Sequence, residues 1–175
     1  TRDYVRTMTV VLPDGRIVRL GGEPSKNSSG YSLLNLLIGS EGTLGIITEL
    51  GLKIIPRPNV TFSLLVLFED LHSCIRCVSK VKLSGLEPQA LEFMEREIVL
   101  SSERYIGRSV FPKEMDGVEI GAYLLVTFDG DDEDQLMDVV EKACDLVLEE
   151  GALDVLLADT PPKIRDAWAA RSSFL

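Results

Sequence analysis

The sequence predicts an α+β protein in two parts, on three observations. Runs in which apolar and polar residues alternate, the signature of half-buried strands, recur along the chain. Between residues 60 and 158 the order strand, helix, strand occurs twice, each time with a Gly between the helix and its second strand. Before that repeat, Pro56-Arg57-Pro58 breaks the pattern, because proline removes a backbone donor and biases the preceding residue toward extended backbone. We place a boundary there, giving parts 1–58 and 59–175.

The elements follow in order. Tyr4, Arg6, Met8 and Val10 alternate with Val5, Thr7, Thr9 and Val11, and Pro13-Asp14-Gly15 supplies the turn of a hairpin over 4–20. Residues 21–30 have loop composition. A short helix over Ser32–Ile38 is expected to be buried, since Leu33, Leu34, Leu36, Leu37 and Ile38 leave it no polar face. Gly39 is suited to end it. A strand over Gly45–Ile55 is expected to carry Ile46, Thr48, Leu50, Leu52 and Ile54 on one face, with Glu49 and Lys53 on the other.

In the second part, Thr61–Phe68 reads as a strand and Asp70 caps a helix that closes near Gly85. Pro88–Met94 is a strand, Glu95–Arg104 a short helix, and a loop runs to Gly117. Ile120–Phe128 is the next strand. Asp131 or Asp132 caps a long helix with Leu136, Val139, Val140, Ala143 and Val147 inward, ended by Gly151. Leu153, Val155 and Leu157 form a strand. Thr160-Pro161 opens a last helix with Ile164, Ala167, Trp168 and Arg171 on neighbouring positions. Two β-α-β units sharing one sheet make a ferredoxin-like antiparallel sheet with helices on one face.

Composition narrows the function. The 175 residues are enough to bury about 70% of the unfolded chain's surface without metals or disulfides. Lys and Arg number 18 against 28 Asp and Glu, a net charge of −10 that argues against nucleic acid as a partner. The apolar runs are too short to span a bilayer. Three cysteines give no even disulfide framework and point to a reducing, cytoplasmic setting. The chain begins without methionine and ends inside a helical pattern, as an internal piece of a larger protein would.

The strongest candidate site is Gly39-Ser40-Glu41-Gly42-Thr43-Leu44-Gly45-Ile46-Ile47-Thr48-Glu49, with glycines that let backbone N–H groups approach a ligand. Taken alone it reads first as a tight helix-to-strand connection. It is neither a P-loop nor a Rossmann turn, because no Gly-Lys-Ser/Thr follows and it precedes a strand. Cys74-x-x-Cys77 has redox or zinc spacing but lies within a helix with no second pair, so no metal site is expected. Asp129–Asp134 mimics a calcium loop without its terminal Glu and reads better as a charged helix start. His72 reads as surface or cap.

Lys26–Tyr31 together with Gly39–Glu49 closely resembles the K-N-x-x-G-Y-D … G-S-E-G-T-L-G-I-I-T-E pattern of the FAD-linked oxidases. That family includes the glycolate oxidase flavin subunit and the D-lactate and D-2-hydroxyglutarate dehydrogenases, all flavoproteins of vanillyl-alcohol oxidase type. Pro13–Arg16, Leu20–Gly22, Leu91-Glu92-Phe93-Met94-Glu95-Arg96-Glu97 and Trp168-Ala169-Ala170-Arg171 are similar to further segments of it, in order. The resemblance implies that 1–58 is the C-terminal part of an FAD-binding domain and 59–175 the N-terminal part of a ferredoxin-like substrate-capping domain. It implies that Glu41, Gly42, Thr43, Leu44, Gly45, Ile46 and Ile47 line the FAD site. Arg171, from the W-x-x-R segment, would bind the substrate carboxylate, a role for which a guanidinium fork is suited. Ser32 replaces the family's usual Asp. The pyrophosphate loop and the histidine-rich metal and proton-transfer segment of the family are not in this chain, so no catalytic residue is expected within it.

The implied activity is oxidation of a small D-2-hydroxy acid to the 2-oxo acid, with electrons leaving to an acceptor protein or a quinone. An ether-lipid synthase type of flavoenzyme ranks lower because the loops are short. The alternative of another class is a non-catalytic ferredoxin-like binding or interaction module, and the segment Lys26–Glu49 argues against it.

Overall fold

The computed structural model describes residues 2–22 and 30–158, with Arg165, Trp168, Ala169, Arg171 and Ser172. Most of the Lys26–Tyr31 motif and the Thr160-Pro161 helix start, with Ile164 and Ala167, lie outside the described residues. Two units, Thr1–Arg57 and Pro58–Leu175, hold separate sets of contacts.

In the first unit β1 (Val5–Val11) is the middle strand of three, flanked by β2 (Ile17–Gly21) and β3 (Ile46–Leu52), both antiparallel to it. The β1–β2 turn closes with the Leu12 N–H donating to Arg16 O and the Gly15 N–H donating to Leu12 O, with Gly15 at φ +83°. One face of this sheet buries Met8 and Val10 against Leu37, with Leu20, Leu34 and Ile38 around them.

Two expectations about this unit need correction. The helix, α1 (Leu33–Leu37), is not buried all round: Leu37 is covered, but Leu33 and Leu36 are 52% and 60% exposed. Five residues make barely more than one turn, so only one side can lie on the sheet. Ser32 caps it, its hydroxyl accepting the Asn35 N–H at 3.4 Å. Nor does β3 keep one apolar face. Glu49 pairs with Thr9, yet Ile47 pairs with Val10, leaving Thr48 as the extra residue of a bulge. Ile47 and Leu50 therefore share the face of Val10 and Met8, while Ile46 and Glu49 share the opposite face with Val11 and Thr9.

The second unit runs β4 (Val60–Phe68), α2 (Leu71–Leu83), β5 (Ala90–Glu95), α3 (Arg96–Ile106), β6 (Glu114–Met115), β7 (Val118–Glu119), β8 (Ala122–Gly130), α4 (Glu133–Glu149) and β9 (Asp154–Ala158). Its four-stranded sheet has the order β5-β8-β4-β9 with every neighbour antiparallel. In terms of the four long strands this is second, third, first, fourth, the ferredoxin-like order. Asp70 caps α2 through the Ser73 N–H at 2.9 Å, and Asp132, within the acidic run, caps α4 through the Gln135 N–H at 3.0 Å.

The helices α2 and α4 cover one face, burying Phe62, Leu64, Val66, Phe68, Leu124, Val126 and Phe128. Cys74 and Cys77 belong to this core, and burial pushes their thiols up to about 12 and about 11. The single-face arrangement holds for these two helices. The second face needs a cover as well, because β4 and β8 are apolar on both sides; α3 and residues 107–120 provide it through Val99, Phe111 and Ile120.

Polar anchors fix that second cover. The Glu103 carboxylate, 7% exposed, accepts the N–H groups of Val110 and Phe111 at 2.7 and 2.8 Å and pairs with Lys113 at 2.6 Å. Arg96 donates to the carbonyls of Lys113 and Ile120. The Tyr123 hydroxyl donates to Pro112 O at 2.7 Å, and its ring packs on Phe111 at 5.4 Å between centroids. Burial alone would raise the Glu103 pKa. The Lys113 ammonium and the two amides outweigh it and hold the carboxyl below its usual 4.5.

A depressed carboxylate pKa stabilises the fold above the usual value, and that contribution disappears as pH falls through the folded-state value. Removal of one partner from such a buried pair costs about 3 kcal/mol. Glu103→Ala is therefore expected to lower stability by about that amount in urea unfolding at pH 7. Glu103→Gln, still able to accept amide hydrogens, loses less. Both variants should show a shallower loss of stability than wild type when the pH is lowered below 4.5.

Candidate functional site

The expected flavin-lining residues form a turn and the strand that leaves it. After α1, Gly39 adopts φ +85° and Ser40 N–H donates to Leu37 O at 3.1 Å. The Thr43 N–H and hydroxyl both donate to Ser40 O, at 2.9 and 2.6 Å. The two residues inside this turn, Glu41 and Gly42, have φ +50° and +80°, the combination of a type I′ turn. Positive φ is uncommon for a non-glycine residue, so Glu41 is held there by the turn around it.

The glycines serve different purposes. A β-carbon on Gly42 would meet nothing nearer than Ile46 Cδ1, 3.8 Å away, so its bare backbone faces open space. On buried Gly45 a β-carbon would lie 2.7 Å from Val10 Cγ1 and 3.0 Å from Val11 O, both on β1. Gly45 is thus required by strand packing and Gly42 by backbone conformation. Glu41, Gly42 and Thr43 are exposed, and so are Leu44 (42%) and Ile46 (60%). The structure brings Glu41–Thr43, Leu44 and Ile46 into one exposed patch. The bulge turns Ile47 to the opposite face, beside Val10.

Arg171 belongs to a different surface, the second face of the sheet in the other unit. That face consists of rows fixed by strand register. One row is Ala90, Thr127, Ser63 and Ala158; the next is Glu92, Leu125, Leu65 and Leu156; the third is Met94, Tyr123, Leu67 and Asp154. The third row lies under the α3 cover, where Met94, Tyr123 and Leu67 pack with Val99 and Phe111. In the first, Ser63 and Thr127 are buried and satisfy each other through a hydroxyl–hydroxyl bond of 2.8 Å.

The second row contains a carboxylate among leucines. Arg171, on helical backbone, reaches it: Nη2 lies 3.2 Å from Glu92 Oε2. The two side chains are 30% and 36% exposed, and Trp168 packs against the same core. Arg171 is therefore not an arginine on a purely solvated helix face. Sequence reasoning quoted Glu92 without assigning it a role. The signal was present, since alternation in β5 puts Glu92 on the same face as Ala90 and the buried Met94.

Neither Cys74-x-x-Cys77 nor the acidic run adds a site. The thiols are core groups raised by burial, and among the described residues no three His, Cys, Asp or Glu side chains are grouped to hold a metal ion. His72 is exposed in the first turn of α2.

Comparison with known proteins adds to this geometry. Residues 57–175 match the family described as FAD linked oxidases, C-terminal domain. A D-lactate dehydrogenase of Anaerostipes hadrus is 61% identical over all of this chain and 37% of its own length. The glycolate oxidase subunit GlcD of Bacillus subtilis is 36% identical over all of this chain and 36% of its own. The chain thus spans about a third of the length of these relatives. Among solved structures, p-cresol methylhydroxylase with substrate bound aligns at a TM-score of 0.68 and 19% identity, over 98% of this chain and 39% of that one; it shares the fold.

The surroundings of Gly45 and Gly42 predict an effect independent of any ligand. Gly45→Ala should destabilise the protein by about 1–3 kcal/mol, because neither β1 backbone nor Val10 can move aside freely. Gly42→Ala should cost about 1–2 kcal/mol through its backbone conformation alone. Thermal unfolding should place Gly45→Ala at or below Gly42→Ala; the reverse order would contradict the packing role.

Proposed function

The chain belongs to the FAD-linked oxidases, and from that membership we propose that it is a section of an FAD-dependent enzyme oxidising a small D-2-hydroxy acid, of D-lactate or glycolate type, to the 2-oxo acid. The carrying observation is the 61% identity to a D-lactate dehydrogenase along the whole chain. On this reading residues 1–58 contribute the C-terminal part of the FAD-binding domain, and 59–175 begin the substrate-capping domain. An acceptor protein or a quinone takes the electrons. No helix among the described residues is long and apolar enough to cross a membrane. Three cysteines without an even disulfide framework support a cytoplasmic setting.

The exposed patch of the first unit fits part of FAD. Gly42 offers backbone without a side chain, and Leu44 and Ile46 lie exposed beside it. The Glu41 carboxylate would repel phosphate, so the patch suits the ring or ribityl portion rather than the pyrophosphate. Glu41, Gly42, Thr43, Leu44, Gly45, Ile46 and Ile47 are the residues we assign to the cofactor, with Gly45 and Ile47 acting from beneath through the strand. FAD supplies the hydride acceptor for the substrate's α-carbon. Arg171 holds the substrate carboxylate by charge-assisted hydrogen bonds and so fixes which side of the α-carbon is presented. The proton of the substrate hydroxyl goes to a base outside this chain.

The full-length protein tests the reading directly. It should purify with flavin absorbance, and that absorbance should bleach on anaerobic addition of D-lactate or glycolate; a colourless protein that takes up no FAD would contradict it. Gly42→Val should lose the flavin while the protein stays folded. Arg171→Met should keep it but lower kcat/KM for the hydroxy acid by about tenfold to a few hundredfold, the value of a desolvated charge-assisted contact. Unchanged kcat/KM would remove Arg171 from the substrate site.

A further inference from the structure

A carboxylate in register with a row of leucines requires a reason. In β5 the positions on the α3 side of the sheet are Ala90, Glu92 and Met94, and Glu92 is in register with Leu125, which is in register with Leu65. An apolar residue would suit that row better. Glu92 is only 36% exposed, and its partner among the described residues is Arg171. The two differ in how firmly they are held. Glu92 is fixed by backbone pairing on a strand, whereas Arg171 extends a long side chain of high rotamer entropy from a helix.

We propose that Glu92 is a positioning residue for Arg171, holding its guanidinium in place for the carboxylate of the substrate. This rests on the assignment of Arg171 to the substrate carboxylate. The recorded contact uses one terminal nitrogen, Nη2 to Oε2 at 3.2 Å. The guanidinium carries five N–H groups, so donors remain for a bidentate contact with a second carboxylate. Glu92 thus removes rotamer freedom that the substrate would otherwise have to remove on binding. Glu92 touches no reacting atom on this account; its effect passes through Arg171.

The test uses the full-length flavin-loaded protein with D-lactate as substrate. Glu92→Leu matches the apolar row and deletes the acceptor, and Glu92→Gln keeps an acceptor without the charge. Loss of one preorganised side chain is expected to raise KM roughly three- to tenfold in Glu92→Leu, with flavin content unchanged and kcat nearly so. Glu92→Gln should restore KM to near the wild-type value. In an Arg171→Met background, Glu92→Leu should add nothing, since the group it positions is gone. A wild-type KM in Glu92→Leu, a Glu92→Gln variant as impaired as Glu92→Leu, or additive effects with Arg171→Met would each overturn the proposal. If Arg171→Met itself leaves KM and kcat/KM unchanged, the carboxylate assignment has failed instead, and the same data set tells the two apart.

Discussion

The antiparallel pairing of β4 with β8 is the constraint on which the second unit depends. It is unbroken from Val60 opposite Gly130 to Phe68 opposite Ala122. Both strands are nearly continuous apolar runs, so neither face of this ribbon tolerates water. Everything else in the unit answers that demand. The crossover helices α2 and α4 close one side, while α3 and the segment tied down by Glu103 and Arg96 close part of the other. The exception is the Ser63–Thr127 hydroxyl pair, which is acceptable there because each group satisfies its neighbour.

That arrangement also explains where a small polar site can exist. The Tyr123 row is sealed by Phe111 and Pro112, and the Ser63–Thr127 row is internally satisfied. The row between them holds the Glu92–Arg171 pair at partial exposure. A charged pair in such a position is weak as a stabilising device, since desolvation offsets much of its attraction. Its presence makes more sense as placement of a guanidinium on a rigid strand than as a contribution to stability.

Much of this was legible in the sequence, for identifiable reasons. Alternation located the long strands, Asp70 and Asp132 marked their helix starts by side-chain capping, and Pro56-Arg57-Pro58 lies at the division between the units. The Gly39–Glu49 segment stood out because its three glycines fall within seven residues between a helix and a strand. What was missed needed tertiary information. The β6–β7 ribbon was read as loop although Asp116-Gly117, both at positive φ, is a hairpin signal; two-residue strands give no periodicity to find. The exposure of Leu33 and Leu36 could not be read from composition, because burial depends on what a one-turn helix lies against. Glu92 was visible only as a carboxylate on the wrong side of an alternation, and its partner is remote in the chain.

The bulge at Thr48 has an implication of a different kind. A strand is a two-phase object, and each residue's side is set by counting from its neighbours. At Thr48 the count slips by one, so the part of β3 that leaves the Gly-rich turn runs in antiphase to the part that follows. Ile46 faces one way and Leu50 the other because Thr48 is bulged out of the ladder; paired evenly along a regular strand, the two would share a side. The bulge itself, rather than the identity of the residue in it, is therefore the constraint along this strand. An exchange of Thr48 for another β-branched residue leaves both halves in phase with their surroundings. A ladder that took Thr48 in as a paired residue would swap the sides of every side chain on one flank of it, presenting Glu49 to the apolar face and withdrawing Leu50 from it. Excision of Thr48 would instead close the bulge and leave Ile47 opposite Val10 and Glu49 opposite Thr9.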